Sequence, residues 1–539
     1  MITNCRLLVL LGFLLRAGTV DVLLAQVPAT APEELLQLVD PVVRYRPIPL
    51  SKEDDAYGVL VELQKLKVVE SSVSEDRELD DAYLDIIGGD LPFPDDELGR
   101  RLSQLINDNA EGLKLFDQFA QFRGVRFPDL LKATGSELRQ FSRLRLLQIA
   151  QDQAQKKFEK ATQRLFELLH IADMLQDSEG GLLTWLTGYG LRASTLEFMT
   201  RLAADPACSI EQLESWQRRV IDLRKLSTQS LAQSLRRNYF EIQLPPLAKL
   251  PPDATLEQAV EAAIGVHRPP PERFAVNLRL TLRKWQVLVL LGDHPAPFDR
   301  DETIRLSSQQ LADVIRVLDL DRSTPQDFDD EEILRVAELW PASIGLDAFS
   351  VLFLQLGRQS WESWEEFWND IVSAAEASEQ LSEIPNAFGK YWISLHSELA
   401  TADSLAGTIV RRRARTEATI ATFAIRRFER LHQRLPKTLP EVVDAKFLTE
   451  IPRDPIDGQP LRYDPARRLL WSIGLDLHDD GGVQNYGSSE KLFSMLRKLL
   501  PKQHSDKLSK PPAPPPNPDH EGSDVVYRLD VEQRRRTPK

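Results

Sequence analysis

Apolar residues recur at three- and four-residue spacing along most of the chain, the period of a helix that buries one face. Between Glu137 and Asp177 the stripe includes Ala161, Leu165, Leu168 and Leu169, which predicts one long helix. A second stripe runs through Leu182, Leu186, Tyr189, Leu196 and Met199. A third opens at Ser209, whose hydroxyl can cap free amides while Gln212 reaches back, and continues through Leu213, Trp216, Val220 and Leu223. Three successive antiparallel helices are implied.

The segment Leu244 to Pro252 interrupts this pattern with four prolines, and Thr255 with Gln258 offers another capping box ahead of Val260 and Ile264. A subdomain boundary is expected there. Phe274, Val276, Leu278, Leu280 and Leu282 alternate with polar neighbours, which taken alone reads as a strand, but the helical surroundings favour a helix. Farther on, Trp361, Trp364, Trp368 and Ile371 share one side of a helix. Such a stripe reads first as core and second as a carbohydrate or peptide platform. Helix pairs of roughly 35 to 45 residues give the region a repeat-like, tetratricopeptide-like character without that family's consensus residues.

Residues 403 to 485 follow a different plan. A helix is predicted from about Ser404 to Gln433, with Ile409, Ile420, Phe423, Phe428 and Leu431 inward, and it stops at Leu435-Pro436. The charges of Arg411 to Arg415 rule it out as a membrane span. A short helix near Leu439 to Val443 follows, then the turn Ile456-Asp457-Gly458-Gln459, then strands Leu461 to Tyr463 and Leu469 to Ile473 paired across Asp464 to Arg467.

This order, with Asp454-Pro455-Ile456-Asp457-Gly458-Gln459-Pro460-Leu461, Ser472-Ile473-Gly474-Leu475-Asp476 and the acidic Asp479-Asp480-Gly481-Gly482, resembles the C-terminal head of type II secretion major pseudopilins. The likeness covers about 80 residues of the chain. The processed N-terminal glycine and continuous membrane helix of pseudopilins do not precede this head, so the resemblance implies a shared fold more than a shared task. The whole layout resembles that of large exported helical proteins of planctomycete-type bacteria that close on the same head. In major pseudopilins the acidic loop holds calcium. The resemblance therefore implies Ser472, Asp476, Asp479 and Asp480 as ligands for Ca2+, whose hard-cation chemistry suits carboxylates on a glycine-loosened loop. The other reading of the same residues is a solvated acidic turn.

The expected fold class is thus mainly α: an irregular α-helical array, with helical regions at 31–245 and 253–400, followed by a small α+β domain at 403–485. Residues 501–539, with PPAPPPNP and then a charged stretch holding Arg534, Arg535 and Arg536, are expected to form a disordered tail.

Charge and chemistry narrow the function classes. The formal net charge of -14 argues against a nucleic-acid partner, since phosphate binding needs a dominant basic surface. Arg6, the apolar run Leu7 to Leu15 and the small residues Ala17, Ala25 and Ala29 have the form of an export signal peptide over 1–25. Nine apolar residues are too few to span a bilayer, and Arg16 and Asp21 oppose a longer span, although an uncleaved N-terminal anchor is the second reading. Cys5 would leave with the signal, so Cys208 would stand alone, and it reads as a half-buried loop thiol.

No HExxH, GxSxG elbow, P-loop or GxGxxG pattern occurs, and His170, His267, His294, His396 and His432 are scattered. Carboxylate pairs such as Asp54-Asp55, Asp80-Asp81 and Asp329-Asp330 read as surface charge. Two classes remain. The first is a non-catalytic interaction protein of the periplasm or cell envelope with a protein partner. The second is an all-helical hydrolase, with a cleft lined by Trp361, Trp364 and paired carboxylates. A shallow binding surface favours the first and a substrate-sized cleft the second.

Overall fold

The computed structural model describes residues 33–47, 50–66, 77–87, 91–127, 136–178, 180–223, 229–265, 291, 296–319, 385–397, 402–473, 479, 481–482 and 525–529. The expected N-terminal signal, the 274–290 segment, the tryptophan stripe and the Asp329-Asp330 pair lie outside them. The fold is mainly helical, with a small sheet near the C-terminus. Its helices are α1 Tyr57–Lys65, α2 Arg77–Ile87, α3 Glu97–Asp108, α4 Ala110–Phe119, α5 Ser136–Ala154, α6 Phe158–Asp177, α7 Gly181–Leu202, α8 Ile210–Asp222, α9 Gln229–Asn238, α10 Leu256–Gly265, α11 Arg300–Asp319, α12 Ala387–Ser397, α13 Ala402–His432 and α14 Leu439–Asp444. The strands are β1 Arg462–Asp464, β2 Leu469–Ser472 and β3 Val525–Arg528.

The predicted long helix from Glu137 to Asp177 is two helices, α5 and α6, separated at Gln155 to Lys157. The polar run from Gln151 to Lys157 carries one apolar residue, Ala154, and Lys156 turns the chain back at φ 61°, in the left-handed region. Buried Asp152 then pairs with Arg164 across the connection. An apolar period continued on both sides of a break does not reveal the break. The capping boxes at Ser209 and Thr255 are both formed, with Gln212 N donating to Ser209 Oγ at 3.2 Å and Gln258 N to Thr255 Oγ1 at 3.3 Å.

The described residues divide into two compact units. One draws on the described residues within 33–46, 235–319 and 385–406. In it the Asp40 amide donates to Ser308 Oγ at 3.2 Å, Arg316 pairs with Asp40 at 2.6 Å, and the Phe388 amide donates to the Pro297 carbonyl at 2.7 Å. Tyr239 is buried there, and desolvation raises its phenol above the usual value.

The other unit draws on 47–234 and the chain from Gly407 onward. This differs from the expected layout, in which 31–245 and 403–485 were separate domains. The reason is α13. From Ala418 to Arg426 every residue is buried, so the helix faces protein on all sides. Small side chains permit this, and the threonines hide their hydroxyls on the preceding turn: Thr416, Thr419 and Thr422 Oγ1 donate to the carbonyls of Arg412, Arg415 and Ala418 at 2.8–2.9 Å. Ile420, Phe423 and Ile425 join one core with Leu165, Leu168, Met199, Leu213 and Trp216, and the Trp216 and Phe423 rings meet edge-on at 5.9 Å. Arg427 adds polar ties to α8 through Gln217 at 2.8 Å and Glu214 at 2.9 Å.

The sheet is antiparallel with order β1-β2-β3, registered by Tyr463 opposite Leu470 and by Leu470 opposite Tyr527. Its third strand corrects the expectation for 501–539. Four residues, Val525 to Arg528, extend the sheet, and Leu529 is buried with its amide on the Arg468 carbonyl at 2.8 Å. Composition averaged over a proline-rich and charged stretch conceals a short β-branched and aromatic run.

Candidate functional site

A shallow, open concavity lies between α6 and α8, in the second unit. The stripe Glu159, Thr162, Gln163, Phe166, Glu167 and His170 on α6 repeats at helical spacing along the flank of the inward-facing Ala161, Leu165 and Leu168. Opposite stand Glu211, Gln212 and Ser215 of α8, and Ala120 also lines the groove. The groove encloses about 580 Å3 and is open along its length. Phe166 and Ala120 pack against the core from its floor.

Its walls are fixed from behind. Trp216 Nε1 donates to Thr162 Oγ1 at 3.1 Å, and His170 Nε2 lies 2.8 Å from the Phe122 carbonyl. Gln163 Nε2 donates to Glu167 Oε1 at 2.9 Å. Two arginines near the groove are engaged elsewhere, Arg164 with Asp152 and Arg218 with Glu214 at 2.8 Å, and exposed Lys160, adjacent to Glu159 in sequence, makes no ion pair with it. Glu167 acts at longer range on buried Arg145, but among the described residues Glu159, Glu167 and Glu211 have no ion-pair partner within 4 Å. Glu211, fully exposed, is held below the ordinary glutamate value by its own backbone amide and by Ser209 at the start of α8. The groove is therefore an apolar floor beneath a rim of carboxylates.

The second constellation is the turn from Asp454 to Gln459, with its partners on β1 and β2. Asp454 is fully buried, and both oxygens are saturated. Oδ1 accepts from the Ile456 amide at 3.0 Å and Ser472 Oγ at 2.8 Å; Oδ2 accepts from the Ile473 amide at 2.8 Å and Arg462 Nη1 at 2.9 Å. Burial raises its carboxyl above the ordinary value in spite of these donors. Gly458, at φ 68°, lets the chain reverse so that its amide reaches the Asp454 carbonyl at 2.8 Å. Tyr463 Oη ties the strand to the Pro436 carbonyl at 3.0 Å.

Of the residues that the resemblance implied for calcium, Asp476 and Asp480 lie outside the described residues. Ser472 is buried and turned onto Asp454. Asp479 Oδ1 accepts from Trp471 Nε1 and the Gly481 amide, both at 2.9 Å, and its Oδ2 lies 3.4 Å from Arg462 Nε. Burial alone would raise Asp479, but these donors offset it and the carboxyl is lowered. Neither described residue would reach a cation without giving up a present partner. Among the described residues no three His, Cys, Asp or Glu side chains converge as a metal ion requires.

The remaining sequence candidates sort plainly. Asp54 accepts from Ser51 Oγ at 2.7 Å, and Asp55 Oδ1 accepts from the Tyr57 and Arg126 amides at 3.0 and 2.9 Å, so this pair pins a turn. His432 stacks beside Phe428. Cys208 is buried rather than half-buried, and desolvation raises its thiol to about 12, which keeps it protonated and unreactive. Sequence reasoning missed the groove and the role of Asp454. The acidic positions 159 and 167 flanking Phe166 on the outer stripe were the available trace of the first.

No helix among the described residues is long and apolar enough to cross a membrane. No known protein family, curated protein or solved structure matches this chain.

Proposed function

We propose that this chain is an exported, non-catalytic interaction protein of the periplasm or cell envelope that receives a protein partner in the groove between α6 and α8. The observation that carries the reading is the groove itself: about 580 Å3, open, floored by Phe166 and Ala120, and with both of its candidate reactive features, His170 and the Glu167 side chain, already hydrogen-bonded to the protein. A surface this open to solvent suits a segment of another protein better than it suits an enclosed small substrate. Export rests on Arg6 and the run Leu7 to Leu15. The pseudopilin-like turn, held by Asp454 and continuous with the core through α13, enters this reading as a structural closure.

The test is site-specific photo-crosslinking in the native host. The full chain carries a photoreactive residue at Gln163, or at exposed Lys437 as control. A discrete adduct from Gln163 alone, recovered with the periplasmic or envelope fraction, is the expected result. No adduct at Gln163, or retention of the chain in the cytoplasm, overturns the proposal.

A further inference from the structure

The groove also constrains what can occupy it. Three carboxylates edge it and none has an ion-pair partner among the described residues, while its floor is apolar. A neutral apolar segment would leave the rim charges facing a partly desolvated space, and an acidic one would be repelled. A bare inorganic or small organic cation would satisfy the rim and leave Phe166 and Ala120 against water. One chemistry satisfies both: an apolar side chain on the floor flanked by Lys or Arg reaching the rim. Glu159 and Glu167 are eight residues apart on α6, so their separation along the helix is about 12 Å, which matches two basic side chains about two helical turns apart on one segment.

From this geometry we infer that the groove docks a basic amphipathic protein segment, with an apolar residue seated against Phe166 and Ala120 and flanking cations paired with Glu159, Glu167 and Glu211. This deepens the proposed function and rests on its choice of the groove as the binding surface. Arg164 cannot fill the role in cis, because it is held by buried Asp152. Thr162, Gln163, Gln212 and Ser215 supply neutral donors and acceptors between the charges.

The experiment uses the full chain and a fluorescent 14-residue Leu/Lys amphipathic peptide, with the matching Leu/Glu peptide as control. Saturable anisotropy with the Leu/Lys peptide is expected, none with the Leu/Glu peptide, and a loss of affinity of about tenfold or more in the triple variant Glu159→Gln/Glu167→Gln/Glu211→Gln. Because the whole protein is acidic, a second triple variant removes equal charge elsewhere, at exposed Glu62, Glu97 and Glu111, and should bind as the parent does. Gln163→Lys, which places a cation in the groove without touching the core, should weaken the Leu/Lys peptide as well. Equal losses in the two triple variants, or binding of both peptides alike, would show a non-specific charge effect and sink the inference. An adduct at Gln163 without Leu/Lys binding overturns the basic occupant and leaves the interaction role standing. Peptide binding without any adduct does the reverse.

Discussion

The Asp454 turn and the seam between α6 and α7 both bury charge, and they do so in opposite ways. At the turn one carboxylate has four donors and no spare lone-pair direction. At the seam, Arg192 is 1% exposed and pairs with Asp173, yet its Nε and Nη1 have no partner among the described residues. Beside it Gln176 is equally buried, with neither amide atom bonded, and Trp185 Nε1 is likewise unpaired. Helix α7 approaches so closely there that a Cβ on Gly188 would stand 2.7 Å from the Ala172 carbonyl. Burial lowers Arg412, stacked over Trp185, to about 9, with Arg192 adding repulsion and Asp173 and Asp177 partly restoring it. Burial and then the Asp173 charge raise Asp177. A saturated polar group defines one geometry, whereas an unsaturated cluster is tolerated because the surrounding apolar contacts are strong enough to hold it.

Asp454→Ala should therefore be the most damaging change in this unit. It orphans Ser472 Oγ and two backbone amides and leaves Arg462 short of a partner, at a loss of about 3–5 kcal/mol. The shift of the urea midpoint measures it, and a loss below about 1 kcal/mol would mean that the turn is held by Asp457 and Arg462 instead.

Gln176→Leu should have the opposite sign. Both atoms of the amide are buried without partners, so an apolar side chain of similar size removes an unfavourable term and should stabilise by about 1 kcal/mol. Urea unfolding followed by tryptophan fluorescence and far-UV circular dichroism reads the effect. Destabilisation would erase the contrast between seam and turn, since Gln176 would then be contributing bonds.

Most of the helices were legible from period alone, and the caps at Ser209 and Thr255 from residue type, because both signals are local. The order of elements from α13 to β2 was legible too, in Leu435-Pro436 and the Asp454 to Gly458 turn. What escaped was non-local. The break at Lys156 lies in a short polar run between two apolar stripes of the same period, the third strand comes from a segment some 50 residues beyond β2, and the shared core of α13 with α6 and α8 follows from packing on every side of one helix. The groove depends on which flank of α6 remains uncovered once α8 is in place, which no single helix encodes.

The surface offers the smallest and most pH-specific test of the same comparison, because Glu441 is a satisfied carboxylate like Asp454 but an exposed one. It pairs with Arg434 and accepts from the Lys437 amide at 2.6 Å, and these bonds, Arg434 first, lower its carboxyl to about 2. A lowered folded value means that the stabilisation is complete above the unfolded glutamate value of 4.5 and is lost as pH falls towards 2. Glu441→Gln should thus lower the melting temperature slightly at pH 7, less than either core change alters it, and the difference should shrink with added salt. Parent and variant should converge as the pH approaches 2. A difference that persists at that pH would assign the effect of Glu441 to packing around the start of α14 rather than to its charge.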